Sequence, residues 1–154
     1  MRMNQNMTNL LAQMKIDPSQ VDLERAAVRL ELVSTGDSVF LRDEFAQSRH
    51  HAIEDFADRS SLESQINHVH FPFRDDRQSL EEAIAYTACL RQSLGEFSGK
   101  RFVIIVCVAD RRCTVRFHQV RKSESWLADD LDFYREEAVM VLDTWAGGAA
   151  KTSP

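Results

Sequence analysis

The chain has 154 residues, of which 44% are hydrophobic and 28% charged, with a formal net charge of −5. This is the make-up of one ordinary globular domain that can bury a core without disulfides or structural metal, and the acidic balance argues against a dedicated nucleic-acid binder. Cys89, Cys107 and Cys113 are widely spaced and contain no Cys-x-x-Cys pair, which argues against zinc-ribbon and thioredoxin-type motifs and fits a reducing compartment. Met1 to Met7 lacks the apolar stretch of a signal peptide, and no run has the length of a membrane span. A cytoplasmic location without membrane association is therefore expected.

From the N-terminus, Met7, Leu10, Leu11 and Met14 recur at helical spacing, and Asp17-Pro18-Ser19 ends that element. Pro18 suits the first position of a further helix over Ser19 to about Ala27. Val28, Leu30 and Leu32 then alternate with charges, Ser34-Thr-Gly-Asp37 is turn chemistry, and Val39-Phe-Leu41 resumes the apolar run. A β-hairpin is expected there, with helix as the competing assignment over residues 20–33. Phe45, Ile53 and Phe56 among charges predict a surface helix over Asp43 to Asp58, followed by a short turn capped by Ser60 or Ser61 with help from Glu63.

Asn67 to Phe73 reads as a strand with Val69, Phe71 and Phe73 on one face and His68 and His70 on the other. Ser79-Leu-Glu-Glu82 is a capping-box pattern opening a helix whose stripe includes Leu80, Ile84, Cys89, Leu90 and Leu94, with stop signals at Gly95 and Gly99. Phe102-Val-Ile-Ile-Val-Cys-Val108 is continuous and β-branched, as a strand buried on both faces should be. Asp110-Arg-Arg112 is a tight connection to the alternating strand Cys113–Arg121, so residues 102–121 form an antiparallel hairpin. Ser123 to Tyr134 is loop with one helical turn, and residues 137–142 form a last strand, with a helix continuing from Leu131 as the alternative. The expected domain is 1–146, with a disordered small-residue tail over 147–154.

The expected fold is α+β: a single, mostly antiparallel sheet of about five or six strands with helices packed on it. The helix from Ser79 should cover the side lined by Val69, Phe71, Val115 and Phe117. Strand 102–108 then needs cover on its other face, from the N-terminal helix or from a second subunit.

Chemistry-bearing residues are few. His68 and His70 share one strand face and His118 projects from the polar face of another. If the strands are neighbours, three imidazoles plus water would suit catalytic zinc, as in a metal-dependent hydrolase. His50-His51 with Glu54 has a metal-compatible helical spacing, but reads better as a charged, solvated face. No Gly-x-Ser-x-Gly elbow and no phosphate-binding glycine loop is present, and Cys107 and Cys113 fall on core-facing positions.

Charge is segregated instead. Lys100, Arg101, Arg111, Arg112, Arg116, Arg121 and Lys122 make the hairpin basic, and Glu124, Asp129, Asp130, Asp132, Glu136, Glu137 and Asp143 make the next segment acidic. The two either neutralise each other or leave an acidic patch for a basic partner, with Trp126 at its edge as an anchor or a core cap.

Asn67-His-Val-His70, the helix from Ser79, the Arg101–Arg121 hairpin, and Glu124 to Tyr134 running into Ala138-Val-Met-Val-Leu142 resemble, over residues 28–144, small bacterial α+β proteins of the immunity type encoded beside polymorphic toxins. The resemblance implies neutralisation of a cognate toxin by binding, often through an acidic surface on a basic domain, with no catalytic residue and no cofactor. Trp126, Asp129, Asp130, Asp132, Glu136 and Glu137 are then the expected contact residues. The leading expectation is a non-catalytic cytosolic protein-binding domain. A metal-dependent hydrolase using His68, His70 and His118 and a homodimeric structural module are the alternatives.

Overall fold

In this computed structural model, which describes residues 1–22, 30–48, 53–72, 75–124 and 126–144, the elements run as follows. β1 (Arg2–Met3) and α1 (Gln5–Met14) precede a hairpin of β2 (Leu32–Thr35) and β3 (Ser38–Leu41). Then come α2 (Arg42–Gln47), α3 (Arg59–Ile66), β4 (His68–Pro72), α4 (Asp76–Leu94), β5 (Phe102–Ala109), β6 (Arg112–Gln119) and β7 (Ala138–Asp143). The five-stranded sheet has the order β1-β7-β5-β6-β4 with every pairing antiparallel, so the chain is α+β. The β2–β3 hairpin forms a separate two-stranded sheet.

β5 sits in the middle because its residues are apolar on both faces. Phe102, Ile104 and Val106 point to one side and join Val115, Phe117 and Met140 beneath α4. That helix contributes Leu80, Ala83, Ile84, Leu90 and Leu94, as its apolar spacing requires. α1 lies on the same side, inserting Met7 and Leu11. On the opposite side Ile105, Val139 and Val141 are buried with Leu131, and Val103, Cys107, Trp126, Leu127 and Tyr134 pack around them. The second face of β5 is therefore covered by the segment between β6 and β7. Neither the N-terminal helix nor a partner subunit is needed there.

The β5–β6 turn is made by Asp110 and Arg111, both at positive φ (47° and 57°), the handedness that matches strand twist in a two-residue hairpin. Two expected helix starts and one helix length are corrected. Asp75, not Ser79, caps α4 through the Arg77 and Gln78 N–H groups, while the Ser79 hydroxyl donates to the Pro72 carbonyl. Asp58 caps α3 in place of Ser60 or Ser61, accepting from the Ser61 N–H at 2.7 Å. Among the described residues, the helix expected over 43–58 appears as α2 and a 3₁₀ turn at Ile53–Asp55, and its apolar residues are too widely spaced for a continuous stripe. β1 carries too few residues to give any periodic signal. Most of the helix expected from Ser19, together with Val28, Phe73, His50, His51 and the tail over 147–154, lies outside the described residues.

Candidate functional site

The three histidines do occupy neighbouring strands. His68 pairs with Arg116 and His70 with Thr114 across β4 and β6, and His118 projects from the same face two positions beyond Arg116. The His68 and His70 rings meet edge to face with centroids 4.9 Å apart, but His118 does not join them in a group placed to hold a metal ion. His68 Nδ1 donates to the Gln65 carbonyl at 2.5 Å, His70 Nδ1 contacts the Thr114 hydroxyl at 3.2 Å, and His118 Nδ1 donates to the Gln119 carbonyl at 3.0 Å. His118 is buried near α3, and burial holds its pKa below the ordinary 6.5. His70 is also lowered, first by burial and then by the neighbouring His68, Arg116 and Arg112. Among the described residues no group of three or more His, Cys, Asp or Glu side chains is placed to hold a metal ion.

The thiols are quiet. Burial pushes Cys107 and Cys113 up to about 12, and for Cys107 the Glu137 carboxylate 3.4 Å away adds to the effect. A thiol so protonated is a poor nucleophile. A groove of about 600 Å³ runs beside α4, lined by Ile84, Thr87, Ala88, Met140 and Leu142 among others, but the Thr87 hydroxyl is already committed to the Ala83 carbonyl.

The basic hairpin finds its carboxylates away from residues 129–137. Arg121 grips the fully buried Glu63 through both terminal nitrogens, at 2.9 and 2.6 Å, and also reaches Asp37. Arg101 pairs with Asp143 at 2.6 Å. Glu124 approaches Arg121 at 4.0 Å while accepting from the Ser60 N–H and hydroxyl. None of the carboxylates of Asp129, Asp130, Asp132, Glu136 and Glu137 pairs with a hairpin arginine among the described residues.

What holds that acidic segment in place is the start of α1. Asn4 is buried, and its Oδ1 accepts from the Met7 and Val139 N–H groups, capping the helix and tying it to β7. Its Nδ2 donates to the Tyr134 and Glu137 carbonyls at 3.2 and 2.7 Å, and Asn6 donates to the Arg135 carbonyl. Asp132 accepts from the Gln5 N–H at 2.8 Å, a carboxylate at the positive end of a helix. Asp130 caps its own 3₁₀ turn (Leu131–Phe133) and Glu137 turns inward to Cys107. Asp129, Asp130, Asp132 and Glu136 remain exposed. The same turn buries Leu131 and turns Phe133 outward, leaving it 78% exposed. Trp126 is half-buried on the second face of the sheet, with the Arg116 guanidinium 6.0 Å from its ring centroid.

The model of the uncharacterized protein PM0498 family matches residues 2–151. The chain belongs to this family. No curated protein and no solved structure matches it. The span shared with the PM0498 family contains the Asn4 latch, the histidine strands and the whole acidic segment. No helix among the described residues is long and apolar enough to cross a membrane.

Sequence reasoning missed Phe133 and Asn4. Phe133 had no signal of its own, since alternation of exposure within a one-turn 3₁₀ helix is too short to read. Asn4 had one: an amide three residues before the first periodic apolar position is N-cap chemistry.

Proposed function

We propose that the protein is a non-catalytic protein-binding domain that receives a basic partner on the surface formed by Asp129, Asp130, Asp132, Phe133 and Glu136. One observation carries the reading: a phenylalanine 78% exposed on a latched turn, among carboxylates that the basic hairpin leaves unneutralised. An exposed aromatic ring among like charges suits an interface anchor, with the charges orienting approach and the ring supplying the desolvated contact. Trp126 contributes from beneath, by packing the segment onto β5. The immunity-type resemblance supplies the finer version, in which the partner is a cognate bacterial toxin and the mechanism is occlusion of its basic cleft.

The hydrolase reading loses support because, among the described residues, His68, His70 and His118 form no group placed to hold a metal ion. Affinity capture from the native host, comparing wild type with a Phe133→Ser/Asp129→Lys/Glu136→Lys variant, tests the proposal. A basic protein retained by the wild type and lost by the variant supports it. Equal recovery by both would contradict it.

A further inference from the structure

The five-stranded sheet ends in β4, and two observations fix which way the backbone groups of that strand point. The Phe117 N–H donates to the Asn67 carbonyl at 3.2 Å, and Asp110 and Arg111 close a two-residue hairpin at the Ala109–Arg112 pair. Antiparallel pairs alternate between bonded and non-bonded, so Val69 and Phe71 bond across to Val115 and Cys113. His68, His70 and Pro72 therefore direct their backbone groups away from β6. A proline has no N–H to offer, and the outer side of an edge strand is where a sheet tolerates one. No strand among the described residues pairs with that side, and neither His68 nor His70 has a backbone hydrogen bond there. The Pro72 carbonyl accepts from the Ser79 hydroxyl and keeps a second lone pair.

These outward groups complement themselves. A second β4 laid antiparallel about a two-fold axis at His70 sets His70 against the copy's His70 and His68 against the copy's Pro72. Each His70 N–H then meets the other His70 carbonyl, and each His68 N–H meets a Pro72 carbonyl. Both free donors of each strand find an acceptor, in the register that pairs all five residues of β4. On the α4 face the same register places Val69 across from the copy's Phe71, twice. Those are the close, non-hydrogen-bonded pairs in which an aromatic and a β-branched side chain pack well. In the single chain Val69 and Phe71 are only half-buried, and with Leu30, Leu41 and Tyr86 they line an open cleft of about 240 Å³.

We propose that β4 is a homodimer interface, at which two copies join edge to edge about His70 and their sheets become one. The occupant is a second copy because one strand supplies both halves of every pair, the donors with their acceptors and Val69 with Phe71. The acidic segment packs over β5 and β7, away from this edge, so the dimer is independent of the partner surface proposed above. Five residues a side make a small contact, which places the association among the weaker specific ones.

Sedimentation equilibrium of the full chain, in a concentration series up to about 1 mM, tests the proposal by showing whether dimers form. Amide hydrogen exchange read by NMR gives the site: the His68 and His70 N–H groups should gain protection as dimers form. His70→Pro removes the central donors without touching the β6 ladder and should weaken dimerisation roughly tenfold or more. His70→Lys and His70→Glu should each be monomeric, because like charges then face each other across the axis. An equimolar mixture of those two proteins should dimerise again. That mixture decides the matter if His70→Pro fails to fold. A wild type that stays monomeric to about 1 mM, a dimer indifferent to His70→Pro, or a mixture that stays monomeric would overturn the proposal. Protection of the two amides only on adding the captured basic protein would assign the edge to that partner and overturn it as well.

Discussion

Replacing Arg121 with Met should be among the most damaging single changes outside the hydrophobic core. Glu63 is fully buried, and its carboxylate accepts from Arg121 at 2.9 and 2.6 Å and from the Gln119 N–H at 2.7 Å. Removing the arginine leaves a buried charge with a single backbone donor. Breaking a buried pair in this way costs about 3–5 kcal/mol. At roughly 2–4 °C per kcal/mol for a chain of this length, the melting temperature should fall by roughly 6–20 °C. Removing both charges as Glu63→Leu/Arg121→Met should cost less than Arg121→Met alone, because paired apolar replacements of buried ion pairs are often close to neutral. Urea denaturation of wild type, both single variants and the double variant closes the cycle. A loss below about 1 kcal/mol for Arg121→Met, or strict additivity, would refute the reasoning.

Phe133→Ser should leave stability within about 0.5 kcal/mol of wild type, since the ring touches little of the core, while removing partner binding. Leu131→Ala, by contrast, empties the cluster beneath the acidic segment and should cost about 2–5 kcal/mol, read by the same denaturation assay. For Cys107 and Cys113, with pKa values pushed up to about 12, only about one thiol in ten thousand is ionised at about pH 8. Both should resist alkylation in the native protein and react on unfolding, which mass spectrometry would detect. Burial lowers the His118 pKa, so the unfolded chain takes up this proton first as pH falls past about 6.5. Stability should therefore decline on acidification, and His118→Asn should make that decline shallower. An unchanged slope would count against a buried neutral ring.

The sheet was legible wherever a pattern had room to repeat. Phe102–Val108 and Cys113–Arg121 read as strands with the correct faces, although β6 already ends at Gln119, and Val69 and Phe71 fall with Val115 and Phe117. Two-residue β1 and the 3₁₀ turn that exposes Phe133 were too short to be read in this way. The side on which α1 packs was illegible for another reason. Its stripe of Met7 and Leu11 fits either face of an apolar sheet, and the choice is made by Asn4, whose amide joins the helix to β7 and to the carbonyls of Tyr134 and Glu137. The acidic segment was correctly separated from the basic hairpin in sequence. Arg101 does meet Asp143 at the far end of that segment, but the partners of Arg121, Glu63 and Asp37, lie more than fifty residues away along the chain and became visible only in three dimensions.

Calorimetric titration of the captured basic protein, at two salt concentrations, into wild type and into Phe133→Ser tests the docking surface most directly. Affinity should fall with added salt and drop about thirtyfold or more when the ring is removed, as for an interface anchor. Equal affinity for both proteins, independent of salt, would contradict the account.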